Sequence, residues 1–311
     1  MRRLAPLIAL VLLAGCGGDD EPTASATPAP TATATPAPAE TAQPADSGGG
    51  SAPYVGSLSV DPERGTLMIG TGLGLFRLEE GAKEAKPFDG ELETPEGAGA
   101  ISPNLVLRYT GPGRLIGSGH PKGGGTLPED LGLIRSDDDG RTWTSVSLLG
   151  EEDLHALDVR GDVIAGQPVD AARVLVSTDG GKSFEERTPP AVPVDLDLDP
   201  ADPRRIALTT ADGVFVSNDG GGSWRQRDVA TTETHLAWSE QGQLYRVDAA
   251  GAVRVSEDGG ESWAEAGNAG GSPSTITVDA QGRLYAALAG GSIVRSDDGG
   301  KSFDELTKLT T

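Results

Sequence analysis

One octamer pattern, S-x-D-x-G-x-[ST]-[WF], recurs five times in this chain and constrains its fold more than any other feature. The copies are SDDDGRTW (Ser136–Trp143), STDGGKSF (Ser177–Phe184), SNDGGGSW (Ser217–Trp224), SEDGGESW (Ser256–Trp263) and SDDGGKSF (Ser296–Phe303). Successive copies begin 41, 40, 39 and 40 residues apart. A fixed period of this size marks one supersecondary unit per repeat, stacked against its neighbours. Within a period, short runs of alternating or continuous apolar residues are separated by turn residues. In one unit they are His155–Val159, Asp162–Ala165, Arg173–Ser177 and Phe184–Arg187. Four strands of about five residues in a row form a meander, and a meander every forty residues is a propeller blade.

An earlier unit, from Tyr54 to about Glu91, fits the same template without its octamer. Counting it gives an all-β, six-bladed β-propeller of four-stranded antiparallel blades over residues 54–311, with six blades preferred to seven. Chain order puts the inner strand first in the first blade and the outer strand last in the last one. No strand is then exchanged to close the ring.

Composition narrows the function classes. With 47 acidic residues against 25 basic ones and a net charge of −22, the chain lacks the clustered cations that hold a nucleic-acid backbone. Its single Cys rules out a disulfide framework. High glycine content, 45 residues of 311, suits a turn-rich β protein.

The amino terminus reads as an address. Arg2 and Arg3 precede a short apolar run, Leu4 to Leu13, and then Leu13-Ala14-Gly15-Cys16. The run is too short to span a bilayer. This arrangement resembles the lipobox of bacterial lipoproteins. The resemblance implies a signal peptide over residues 1–15, lipidation of Cys16, and a membrane-anchored protein on the extracytoplasmic face of the cell envelope. Residues 16–53, rich in Thr, Ala and Pro, have too little apolar bulk to fold and are expected to form a disordered tether.

The octamers resemble the Asp-box, or BNR, repeats of the sialidase superfamily, whose members are β-propellers. In that family the box is the turn between the third and fourth strands of a blade. The residues themselves supply a reason. Asp138, Asp179, Asp219, Asp258 and Asp298 can accept hydrogen bonds from N–H groups of their own turn, beside Ser136, Ser177, Ser217, Ser256 and Ser296. Gly140, Gly181, Gly221, Gly260 and Gly300 permit positive φ. Trp143, Phe184, Trp224, Trp263 and Phe303 can pack between sheets. DDDG in the first copy looks like part of a calcium loop, but the other copies lack the alternating ligands and distal Glu, so the boxes read as structural and not as metal sites.

Chemistry is expected on the opposite face, formed by links from the second to the third strand and from blade to blade. The one substantial insertion there is Gly119 to Leu131, next to the link LLGEEDLH. Candidate ligand or catalytic residues are His120, Glu129, Asp130, Glu151, Glu152, Asp153, His155 and His235. Imidazoles and carboxylates converging at a channel mouth could hold a divalent metal, with His120 and His155 the main candidates, or an acid–base pair. The bland alternative is that such His residues are satisfied by backbone and the acids are solvated. No cofactor is otherwise expected.

A sialidase-like Arg triad cannot be traced: Arg77 in LFRLEE lacks the expected neighbouring Pro. The chain also resembles bacterial lipoproteins classed as glycosyl hydrolases from their repeats, through Gly117–Pro121, Leu131–Arg135 and His155–Leu157. It departs from them at Tyr54–Leu58, where they carry His-x-His-Gly-Leu. The photosystem II assembly-factor family is a similar propeller without hydrolase activity. The preferred reading is a non-catalytic, monomeric scaffold that binds an envelope protein or another ligand. The alternatives are a glycoside hydrolase, exo-sialidase-like by fold, using two of the acids above, and a carbohydrate-binding module.

Overall fold

In a computed structural model, residues 53–94, 97–101, 105–122, 126–169, 171–229 and 234–310 are described. Cys16 and the segments 1–15 and 16–52 lie outside them. The strands form six sheets, and each sheet follows the chain. Blade 1 is β1 (Val55–Val60), β2 (Leu67–Thr71), β3 (Gly74–Leu78) and β4 (Lys86–Phe88). A hairpin follows, β5 (Gly90–Thr94) and β6 (Gly97–Ile101). Blade 2 is β7 (Val106–Gly111), β8 (Arg114–Ser118), β9 (Leu133–Ser136) and β10 (Thr142–Ser147). Blade 3 is β11 (Leu154–Arg160), β12 (Val163–Pro168), β13 (Val174–Ser177) and β14 (Glu185–Arg187). Blade 4 is β15 (Pro193–Leu198), β16 (Ile206–Thr210), β17 (Gly213–Ser217) and β18 (Arg225–Asp228). Blade 5 is β19 (Thr234–Trp238), β20 (Leu244–Asp248), β21 (Ala252–Ser256) and β22 (Ala264–Asn268). Blade 6 is β23 (Pro273–Val278), β24 (Leu284–Leu288), β25 (Ser292–Ser296) and β26 (Asp304–Lys308). The molecule is a six-bladed β-propeller of four-stranded antiparallel blades, and no helix occurs among the described residues.

Blade 2 carries more than the sequence pattern foretells. The hairpin adds to its outer edge, with β5 parallel to β10 and Leu92 opposite Trp143. The segment GELET-PE-GAGAI has little apolar bulk and reads as a linker between units. Its two buried apolar side chains, Leu92 and Ile101, nevertheless close over Trp143, which is fully buried. The aromatics of the other four octamers, Phe184, Trp224, Trp263 and Phe303, are only half-buried.

Each sheet is flanked by two others, so its middle strands are buried on both faces, as in β16 and β17. Apolar side chains collect into six clusters, one at each blade interface. The seam between blades 6 and 1 is built like the rest. Tyr285, Ala287, Ile293 and Leu309 pack on Val55, Leu58, Ile69 and Leu78. Polar groups also link successive inner strands. Ser57 Oγ donates to the Leu105 carbonyl at 2.7 Å, and Ser59 Oγ accepts from Tyr109 N–H at 2.8 Å. Asp158 Oδ2 accepts from Leu198 N–H at 2.9 Å, and Asp197 Oδ2 from Trp238 N–H at 2.8 Å. Ser274 Oγ donates to the Val55 carbonyl at 2.8 Å across the seam. Buried backbone groups at blade junctions are thus satisfied by the neighbouring blade.

The octamers are turns between the third and fourth strands. In each, the Ser Oγ accepts from the Gly N–H four residues on, at 2.7–2.9 Å. Each Asp Oδ1 accepts from that Ser hydroxyl and from the N–H of the Thr or Ser four residues later. Two successive residues adopt positive φ, for example Gly180 at 77° and Gly181 at 85°. In the first copy Asp139 takes the first of these positions at 65°. Links from first to second strands share this face: Gly180 N–H donates to the Asp162 carbonyl at 2.9 Å, and Gly220 N–H to that of Arg204 at 2.8 Å.

Candidate functional site

On the face opposite the octamers, three candidate residues from two blades meet. Ser118, the last residue of β8, accepts from Leu154 N–H at 2.9 Å and so holds the start of β11 beside the end of β8. His120 follows two residues later. Its loop is strapped to the hairpin by a Pro121–Ile101 bridge and by a Lys122 N–H bond to the Ala100 carbonyl at 2.9 Å. A register shift between Leu154 and Ala156 forms a bulge at His155. Bulges re-aim side chains, and this one turns the His155 ring towards Asp153.

His120 Nε2 lies 3.0 Å and His155 Nε2 2.8 Å from the same oxygen, Asp153 Oδ2. His120 Nδ1 is 2.9 Å from the Glu129 carbonyl, and Asp130 Oδ1 is 3.9 Å from the same nitrogen. Asp153 is 4% exposed, and its Oδ1 has no hydrogen-bond partner among the described residues. The Asp153 hydrogen bond, outweighing the opposing effect of burial, pushes the His120 imidazolium up to about 9. Burial alone would raise the Asp153 carboxyl, but the two imidazoles bring it down to about 2.

Other candidates are placed elsewhere. Glu129 contributes its carbonyl to the cluster. Glu152 accepts both oxygens' worth of hydrogen bonds from Arg173 Nη2, at 2.8 and 2.9 Å. Glu151 is exposed on its turn, where its N–H donates to the Leu148 carbonyl at 2.9 Å. His235 is buried on β19, with Nδ1 3.4 Å from Asp195 Oδ2. Strand β19 shows no register shift, and His235 pairs there with Val247, a position that corresponds to Ala156 opposite Gln167 and not to the bulged His155. Arg77 pairs with Glu79 at 2.8 Å and Asp139 at 3.4 Å.

A second feature lies at the octamer end of the central channel, where sequence reasoning did not look. Here a cavity of 280 Å³ is lined by Arg108, Asp158, Arg160, Asp197, Trp238 and Glu240, among others. Ser59, Arg108, Asp158, Asp197 and Thr277 occupy matching positions on the inner strands of five blades. In sequence these residues are merely the polar members of alternating strands such as PVDLDL, which is why nothing singled them out. Asp158 and Asp197 hydrogen-bond to one another. Burial and the neighbouring Asp158 charge push Asp197 well above the usual carboxylate range, so it is the protonated partner. Arg160 bridges the rim: Nη2 is 3.6 Å from Asp197 and donates to the Trp238 carbonyl at 3.1 Å, while Nη1 is 3.5 Å from Glu240.

Comparison with known proteins adds fold and little more. The model of the strictosidine synthase-like N-terminal family matches residues 267–296. No curated protein sequence matches the chain. Among solved structures, a streptogramin B lyase is 13% identical with a TM-score of 0.55, over 84% of this chain and 85% of that one. An ancestral GH74 enzyme is 15% identical with a TM-score of 0.52 over 82% of this chain. This chain spans 38% of that enzyme's length. YCF48 from Cyanidioschyzon merolae is 13% identical with a TM-score of 0.49, over 83% and 87% of the two chains. At such identities the likeness to the lyase and the GH74 enzyme is one of fold alone.

Proposed function

We propose that this chain is a lipid-anchored, extracytoplasmic Asp-box propeller that acts by binding a protruding segment of another envelope protein, and not by catalysis. One observation carries the reading: the two buried carboxylates of the inner strands at the octamer-face channel mouth, Asp158 and Asp197, are already committed. Asp158 and Asp197 hydrogen-bond to each other and to backbone N–H groups of the next blade. Glycosidases hold their two carboxyl groups about 5–5.5 Å or 6.5–9.5 Å apart to admit a nucleophile or water. Two groups in hydrogen-bond contact leave no such space. On the other face Glu152 is clamped by Arg173, and Asp153 by two imidazoles.

The cavity, at 280 Å³, lies below the usual range for small-molecule pockets and suits a single side chain or a chain terminus. Arg108, Arg160 and Glu240 give it polar anchors of both signs. The similar folds include a lyase, a GH74 enzyme and YCF48, so fold by itself favours no activity. Lipidation at Cys16 would hold the propeller at the membrane.

The test is photocrosslinking in intact cells from a probe at position 240 on the rim and, as control, at position 265 on the outer strand β22. A discrete adduct from position 240 alone is expected, together with palmitate labelling lost in Cys16→Ser. Turnover of any glycoside that disappears in Asp158→Asn would overturn the reading in favour of a hydrolase.

A further inference from the structure

We infer that His120, Asp153 and His155 form a binding site for one divalent transition ion of the zinc type. The site is independent of the octamer-face cavity and of any partner bound there. Its three ligand atoms lie within 4.8 Å of one another, two imidazole nitrogens and one carboxylate oxygen.

The hydrogen-bond arithmetic is the first argument. The Glu129 carbonyl can only accept, so His120 Nδ1 must carry the proton of that 2.9 Å contact. His120 Nε2 then points its lone pair at Asp153 Oδ2, 3.0 Å away, unless a second proton or a cation lies between them. His155 Nε2 faces the same oxygen at 2.8 Å. One carboxylate oxygen with two imidazole nitrogens trained on it is a place built to hold positive charge. An ordinary His–Asp pair would need only one of them.

The second argument is the surroundings. A metal-ligating His usually donates its other ring N–H to a carbonyl or carboxylate, which fixes the ring and raises its basicity. His120 has that partner in Glu129, with Asp130 3.9 Å from the same nitrogen. Asp153 is buried, and its Oδ1 has no partner among the described residues, an unmet demand that a bound ion would satisfy. Both imidazoles remain about one-third exposed, which leaves a path of entry and an open coordination position.

Donor chemistry selects the ion. Two imidazoles and one carboxylate suit zinc and its transition-metal neighbours, whereas calcium and magnesium require a shell of oxygens. Tetrahedral zinc would separate its ligand atoms by about 3.3 Å, so the present 2.8 and 3.0 Å contacts need only a slight opening.

The test is titration of the full-length lipoprotein in detergent, purified without a polyhistidine tag, with Zn²⁺ against a chromophoric chelator. One equivalent of Zn²⁺ is expected to bind at least tenfold more tightly than Mg²⁺ or Ca²⁺. His120→Ala and His155→Gln should each weaken binding at least tenfold, and circular dichroism should show the metal-free variants folded, at a melting temperature lowered by the loss of one partner of the buried Asp153. Both rings are partly exposed, so these variants remain folded where Asp153→Asn need not. Co²⁺ substitution should give a visible spectrum of tetrahedral N/O coordination that is lost in His155→Gln. Absence of stoichiometric binding would overturn the proposal. So would binding that survives both His variants, or binding no stronger than that of Ca²⁺, because the acidic surface would then be the ligand.

Discussion

The Asp139 carboxylate lies 3.4 Å from Arg77 Nη2, within the turn of the first octamer and at a φ of 65°. Four octamers place Gly at this left-handed position, and only the first carries a side chain there. That side chain is 8% exposed and also pairs with Arg64 and accepts from the Tyr109 hydroxyl. The positively charged neighbours therefore hold a strained residue in place.

Asp139→Gly restores the pattern of the other turns, yet it should destabilise the protein. Relief of the backbone conformation gains about 1 kcal/mol, whereas losing the contacts of the Asp139 carboxylate with Arg64, Arg77 and the Tyr109 hydroxyl together costs about 2–3 kcal/mol, Arg77 keeping Glu79. A net loss of about 1–2 kcal/mol should appear as a lower urea midpoint with an unchanged m-value. An equal or higher midpoint would mean that the ion pairs contribute nothing.

The octamer tryptophans should differ sharply in their tolerance of Phe. Trp143 Nε1 donates to the Gly140 carbonyl at 2.7 Å under the β5–β6 hairpin, while Trp224 Nε1 is buried without a partner among the described residues. Trp143→Phe should cost about 1–3 kcal/mol by stranding a buried carbonyl, and Trp224→Phe should be neutral or mildly stabilising. Thermal melts of the two variants side by side decide this.

Acid should unfold the protein through its turns. Hydrogen bonds from Ser183 and Ser262 hold Asp179 and Asp258 below the usual carboxylate range, those from Ser302 do so for Asp298, and those from Ser223 and Ser217 bring Asp219 down to about 2. A carboxyl whose folded value is depressed stabilises the fold fully above its unfolded value, about 3.9, and loses that contribution as pH falls. The contribution of these turns should therefore be constant from neutral pH to about 5 and fall between about 4 and 2. Replacing Ser183 by Ala should move the onset of acid unfolding upward. A flat melting temperature down to pH 2 would contradict the assignment.

Asp197 provides the converse case. Burial and the Asp158 charge push Asp197 well above the usual carboxylate range, so a neutral amide that keeps one oxygen for Trp238 N–H loses only the Leu198 N–H contact, and Asp197→Asn should cost about 1 kcal/mol. Asp197→Leu removes the acceptor of Trp238 N–H and should cost about 2–3 kcal/mol. Denaturant titration distinguishes the two. Comparable losses would show that Asp197 is ionised in the folded protein.

These residues also mark where the sequence was readable. Ser136, Asp138, Gly140 and Trp143 and their copies announce the blades because a turn that needs two left-handed residues, a hydroxyl and a carboxylate tolerates little variation. His120, Asp153 and His155 were recognisable as types on one face, but the bulge that turns His155 towards Asp153 follows from pairing with β12, which local sequence does not encode. Asp158 and Asp197 were hidden for a different reason. An inward carboxylate on an inner strand has the same period as an outward one, and only ring closure decides which faces the channel. The β5–β6 hairpin was missed because its stability comes from covering Trp143, fifty residues away along the chain.

The seam between blades 6 and 1, closed by side chains and by Ser274 reaching Val55, is no different in kind from the other five interfaces. A ring joined this way has no privileged first member. Its ends could be relocated by circular permutation to any link between blades, and copying a segment of about forty residues would add a wedge without unpairing a strand. The cost is mechanical: with no strand shared across the join, force applied at the start of β1 bears on a contact that can part without breaking a sheet.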